Sequence, residues 1–132
     1  MTEQPINTLS WNVRGLNCPD RRAAVKATIF DTTCHLVCLQ ETKLRTVDRY
    51  IAASLGGNKL QSFAHRPATG TRGGILMLWD DSLLHVSDIT TSTSCLSALV
   101  RIRASDSSFK ITSIYGPTDN ASKDAFFAEL LS

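Results

Sequence analysis

No apolar run in this chain approaches the ~20 residues that an α-helical membrane span requires. Nor does a basic segment followed by an apolar one open it. Met1-Thr2-Glu3-Gln4-Pro5 is polar and acidic, so no secretory leader is expected. A large net charge is lacking as well. The net charge of +2 is too mild to imply a nucleic-acid partner on its own. Internal repeats, linkers and low-complexity stretches are missing. Four cysteines occur, Cys18, Cys34, Cys38 and Cys95, and without a leader they read as reduced thiols in an intracellular compartment. Cys34-His35-Leu36-Val37-Cys38 lacks the second half of a zinc site and reads instead as a buried apolar strand.

What remains is an ordinary globular composition. Hydrophobic residues make up 42% and charged residues 20% of 132 positions, which fits neither a disordered tail nor a coiled coil. The length suits one domain, or part of one. Charge is uneven along it. Residues 1–66 carry nine Lys/Arg against five Asp/Glu, and residues 67–132 carry five against seven. The basic excess gathers around Arg14, Arg21, Arg22, Lys26, Lys43, Arg45 and Arg49. A solvated face accounts for it as readily as a phosphate-binding surface does.

Apolar spacing and turn signals predict a strand over Ile6–Val13, closed by Arg14-Gly15, and a helix opened by Pro19-Asp20 and running to about Thr32. His35–Gln40 is nearly all apolar, as a strand buried on both faces is. A short helix is expected over Thr46–Leu55, with Thr46 as its cap and Gly56-Gly57 as its end. Strands follow over Leu60–His65, Ile75–Trp79, Leu84–Ile89, Leu96–Arg103 and Phe109–Tyr115, in outline an antiparallel meander, and then an amphipathic helix over Ala121–Leu131. The order β-α-β-α, strands, helix predicts an α/β chain with a mixed sheet and outer helices. The sequence stops at Ser132 on an apolar helical face. It is therefore expected to be a single truncated domain over 1–132.

Three polar residues sit where strands end. Asn12 closes the first strand, Glu41 follows the second and Tyr115 closes the last. Polar groups at the carboxyl ends of neighbouring strands line the usual ligand crevice of a sheet. A carboxylate with an amide oxygen suits Mg²⁺, which takes oxygen ligands and keeps several waters. A tyrosine hydroxyl can donate to a phosphate oxygen. Position alone leaves other roles open: Asn12 as a turn cap, Glu41 as a partner of Lys43 or Arg45, Tyr115 as a core ring with a wet hydroxyl.

The words around these residues are more specific. Leu9-Ser10-Trp11-Asn12-Val13-Arg14-Gly15-Leu16-Asn17, Cys38-Leu39-Gln40-Glu41-Thr42-Lys43, Gly73-Gly74-Ile75-Leu76-Met77-Leu78-Trp79 and Ile114-Tyr115-Gly116-Pro117 follow in that order. Together they resemble the endonuclease/exonuclease/phosphatase (DNase I-like) superfamily. The wording is most like the endonuclease domain of plant LINE-type (non-LTR) retrotransposon polyproteins, and it covers the front half of that domain.

The resemblance implies a partial four-layered α/β sandwich cut at about half its length. It also implies a Mg²⁺-dependent (or Mn²⁺-dependent) phosphodiesterase whose partner is DNA, acting in the nucleus. Asn12 would orient phosphate or metal-bound water, Glu41 would ligate Mg²⁺ with Asn12 beside it, and Tyr115 would contact the scissile phosphate. Arg14, Lys43 and Arg72 would touch the nucleic-acid backbone. Some repair enzymes of the superfamily carry an Asp where this chain has Arg14, and often an Asn where it has Thr118. Two of the superfamily's motifs have no counterpart here. Gly-Asp-x-Asn is missing, and none of His35, His65 and His85 stands in Ser-Asp-His; Ser87-Asp88 is followed by Ile89. An inactive nuclease fragment is therefore expected, whose partner is the remaining half-domain or a second copy. A non-catalytic binding module or decayed retroelement, and a phosphatase or phospholipid phosphodiesterase of the same superfamily, are the other readings.

Overall fold

The structure, a computed structural model, describes residues 6–70 and 72–115. Their element order is β1 (Thr8–Asn12), α1 (Pro19–Thr32), β2 (Leu36–Gln40), α2 (Arg49–Gly56), β3 (Ser62–Arg66), β4 (Ile75–Trp79), β5 (Leu84–Thr91), β6 (Cys95–Ile102) and β7 (Ser108–Ile114). The strands form two sheets rather than one. The first has the order β1-β2-β4-β3 and the second β5-β6-β7. The first is mixed: β1 runs parallel to β2, and β4 runs antiparallel to both β2 and β3. The second is the expected meander.

The two sheets and two helices make three layers, and the period-2 geometry of β2 and β4 explains how. Val37, Leu39, Leu76 and Leu78 point to one face, where they pack with Val25 and Ile29 of α1 and Ala52 and Leu55 of α2. Leu36, Cys38, Ile75, Met77 and Trp79 point to the other, against Leu96, Ala98 and Val100 of β6. Both faces of β2 and β4 are thus covered, which is why their sequences are apolar throughout.

Half of a sandwich would leave one sheet's inner face bare, with Ile75, Met77, Trp79 and Val100 awaiting cover from the missing half, and the burial corrects that implication. They are 6% exposed or less, because the second sheet already lies over the first. Ile111 packs against the same core.

The cap of α2 differs too. Asp48, not Thr46, accepts from the Ile51 N–H at 2.9 Å. The helix starts where Ala52 and Leu55 can reach the core, and that register puts Asp48 at the cap. On β5 the pairing shifts between Ser87 and Thr90, with Asp88 in the left-handed region at φ 51°. This bulge roughens one outer edge of the second sheet. The helix predicted over 121–131, the Gly116-Pro117 stop and Thr118 lie outside the described residues.

Candidate active site

Three loops meet at one rim of the first sheet: residues 13–17 after β1, residues 41–44 after β2, and Gly73-Gly74 before β4. Backbone hydrogen bonds lace them together. The Gly15 N–H donates to the Glu41 carbonyl and the Leu16 N–H to that of Thr42, both at 2.8 Å. On the other side the Thr42 N–H donates to Gly74 O at 3.1 Å and the Lys43 N–H to Gly73 O at 2.8 Å. Asn17 Nδ2 adds a bond to Lys43 O at 2.9 Å. From the first turns of α1, Arg21 donates to Val13 O and Arg22 to Leu16 O, at 2.9 and 2.7 Å. Two members of the basic N-terminal group therefore tie down the loop after β1.

The rim is conformationally strained. Arg14, Glu41 and Lys43 hold φ of 57°, 56° and 60°, a region that side chains other than glycine seldom adopt. Such residues persist where neighbouring contacts over-determine them, and they cluster at functional sites. Gly74 has φ +91°, and a Cβ there would collide with Thr42 Oγ1 and lie 3.1 Å from Lys43 N. Gly74 is thus the condition for the loop after β2 to pack this closely.

The fold brings Asn12, Glu41 and Tyr115 to this rim. Asn12, exposed, pairs with Gln40 in the ladder, one residue before Glu41. Its Oδ1 accepts from the Arg14 N–H at 3.2 Å, so it does cap the turn, and its Nδ2 keeps its donors. Glu41 is half-exposed. Among the described residues nothing bonds to its carboxylate, and Arg45, one of its possible partners, donates instead to Gly70 O at 3.3 Å. Tyr115 is held by its N–H to Ser94 O at 2.9 Å, and its ring stands 3.6 Å from where a Cβ of Gly73 would lie. Gly73 O accepts from the Lys43 N–H, so Gly73 stands between the Tyr115 ring and the Glu41 loop.

The three expected nucleic-acid contacts lie in or directly beside the three loops. Arg14 is exposed, and among the described residues its side chain makes no hydrogen bond or ion pair. Lys43 is half-buried, its Cδ packed 3.4 Å from where a Cβ of Gly15 would lie. Arg72 is exposed and pairs with Thr69 through both backbone groups, at 2.9 and 3.0 Å. Beside the rim, Trp11, Asn12, Arg14, Arg21, Ala24 and Val25 border a cleft of 510 Å³.

Sequence reasoning missed what lies below. Gln40 is buried at the end of β2, and its Nε2 donates to Ser10 Oγ on β1 at 3.0 Å and to Ser113 Oγ on β7 at 2.9 Å. The signal was available: a polar side chain in a strand buried on both faces must find partners. Burial pushes the nearby Cys38 thiol up to about 11, against the pull of its bond with Ser113. On β3, burial lowers the His65 pKa from its ordinary value, a bond with the Leu44 backbone raises it, and Arg66 lowers it further.

The donor chemistry suits a hard, partly hydrated cation. Glu41 offers a free carboxylate and Asn12 an amide oxygen with one lone pair to spare. No cluster of three or more His, Cys, Asp or Glu forms among the described residues. Mg²⁺ often uses only one or two carboxylates, with water and substrate phosphate completing its shell.

The sequence profile of the endonuclease/exonuclease/phosphatase family matches residues 9–129. The chain belongs to that family. No curated protein matches it in sequence. Among solved structures, this family member is similar to the AP endonuclease LMAP from Leishmania major, with a TM-score of 0.69 at 18% identity over 92% of the chain. It is also similar to the catalytic domain of Xenopus laevis APE2, with a TM-score of 0.67 at 14% identity over 95% of the chain. The match takes in 44% of the first of those chains and 52% of the second, so this family member spans about half their length. At such identities the likeness speaks to the fold, a DNase I-like α/β architecture with a mixed sheet and two helices.

Proposed function

We propose that this family member is the front half of a Mg²⁺-dependent (or Mn²⁺-dependent) endonuclease of retrotransposon type that nicks DNA, and that alone it is inactive. The observation that carries the reading is Glu41. It is half-exposed, left-handed and unpaired among the described residues, at the meeting of loops that also present Asn12 and Tyr115. On this reading Glu41 holds the cation, with the Asn12 amide oxygen beside it. When bound, such an ion stabilises charge on phosphate and leaving oxygens. The Asn12 Nδ2 donates to a phosphate oxygen or a water and orients it. The Tyr115 hydroxyl donates to the scissile phosphate. Arg14, Lys43 and Arg72 neutralise neighbouring phosphates.

DNA as the substrate is supported by the motif wording, by the basic N-terminal half and by the AP endonucleases that share the fold. Inactivity alone is supported by the missing Gly-Asp-x-Asn and Ser-Asp-His motifs. A water-orienting Asp and a phosphate-stabilising His each contribute orders of magnitude to rate.

The test is nicking of supercoiled plasmid in Mg²⁺. The chain as it stands should leave the plasmid intact. Fused after Ser132 to the remaining half of a related retrotransposon endonuclease, it should nick, and Glu41→Gln should abolish the activity. Nicking by the fusion that survives Glu41→Gln overturns the metal assignment.

A further inference from the structure

We infer that Gln40 is a positioning residue: its side-chain amide, bonded to Ser10 and Ser113, fixes the spacing of Asn12, Glu41 and Tyr115. The inference rests on the functional reading above and extends it to residues that touch neither metal nor phosphate.

The geometry is a clamp across three strands and two sheets. Gln40 Nε2 has two hydrogens, and its two shortest bonds run to Ser10 Oγ at 3.0 Å and Ser113 Oγ at 2.9 Å. A third acceptor, Cys38 O at 3.2 Å, belongs to the same strand. Ser10 lies two residues before Asn12 on β1, and Ser113 two residues before Tyr115 at the end of β7. Strand side chains repeat every second residue, so Ser10 and Asn12 share a face. Tyr115 stands just past the end of β7, where its N–H to Ser94 O carries the alternation on from Ser113. Asn12 and Tyr115 therefore stand one strand repeat, roughly 7 Å, from the two ends of the clamp. Glu41 follows Gln40 directly.

Burial makes the clamp obligatory. Gln40 is 9% exposed and Ser113 4% exposed. A buried amide without partners is costly, so the sheets hold the separation that satisfies both hydroxyls. Among the described residues, the clamp is where β1 and β7, on different sheets, meet through a shared side chain. A neutral amide does this without placing a second charge beside Glu41.

The test uses the full chain with two readouts: Mn²⁺ affinity by electron paramagnetic resonance, and hydrogen exchange of the Lys43 and Tyr115 amides by NMR. Ser10 is exposed, so Ser10→Ala breaks one arm at little cost to folding; Gln40→Leu removes both arms. In folded, cooperatively melting variants, each should weaken Mn²⁺ binding roughly tenfold, as the loss of outer-shell partners does. Each should also speed exchange at Lys43 and Tyr115 beyond what global unfolding explains, and Ser10→Thr, which restores the hydroxyl, should return both readouts to the parental values. Unchanged Mn²⁺ affinity and exchange in folded Ser10→Ala and Gln40→Leu overturn the clamp. Should the parent chain bind no Mn²⁺, the metal reading fails, and the clamp stands or falls on the exchange rates alone.

Discussion

The Gly15 N–H donates to the Glu41 carbonyl oxygen over 2.8 Å, and both residues hold positive φ, 106° and 56°. One is a glycine, for which this is easy. The other is the carboxylate at the centre of the candidate site, for which it is not. Glu41 is kept strained by the loops on either side of it, and its side chain is left over for chemistry.

Glu41→Gly should therefore stabilise the fold while removing the site. Relief of the left-handed strain is worth about 1 kcal/mol, and no bond to the carboxylate is lost among the described residues. Urea unfolding should show a higher midpoint with an unchanged slope, and Mn²⁺ affinity should vanish. A lower midpoint would mean that the carboxylate is structural.

Gly74→Ala and Gly70→Ala separate crowding from backbone strain. Both glycines have positive φ. A Cβ on Gly74 meets Thr42 Oγ1 and Lys43 N, whereas one on Gly70 meets nothing within 4 Å. Gly74→Ala should cost ~3 kcal/mol or more, and Gly70→Ala ~1 kcal/mol, by the same unfolding measurement. Equal costs would contradict the packing of the Glu41 loop.

The Cys38 thiol sets an alkaline limit. Its folded pKa of about 11 lies above the ordinary value of 9.0. The folded state thus disfavours the thiolate, so the stability is full below pH ~9 and is lost as pH rises through about 11. Unfolding midpoints should fall across that window, and Cys38→Ala should flatten the fall. The same burial should shield Cys38 from alkylating reagents under native conditions, while exposed Cys18 reacts.

His65 sets the opposite limit. Its pKa is lowered on folding from 6.5, chiefly by burial. The unfolded chain then binds the proton more readily, so its contribution is present above pH ~6.5 and declines as pH falls below it. Thermal melts around pH 5 should show a deficit that His65→Gln removes. His65 also bonds the Leu44 backbone, so the comparison that matters is the change with pH in each protein rather than their stabilities at neutral pH.

Arg14 should report on DNA. In the fused protein, Arg14→Ala should weaken binding across sequences and reduce the salt slope by ~1. An unchanged slope would remove Arg14 from the phosphate contacts.

Much of the fold was legible because local rules and packing agree. The unbroken apolarity of Leu36–Leu39 and Ile75–Trp79 follows from cover on both faces, and Ala98 and Val100 alternate with exposed Leu99 because one face of β6 meets the core. The cap of α2 was misread because Thr and Asp serve equally well there locally. The core, through Ala52 and Leu55, chose between them.

The sequence by itself determined most elements, the motif order and the candidate residues of the site, because periodicity and residue type are properties of the chain. Which strands share a sheet was a tertiary decision, since alternation marks a buried face without naming what covers it. So was the left-handed backbone at Arg14, Glu41 and Lys43, which hydrogen bonds between separate loops impose against local preference. So was the meeting of Gln40 with Ser10 and Ser113, 30 and 73 positions away. Contacts at such separations carry no local signature, and they appear only once the two sheets have packed.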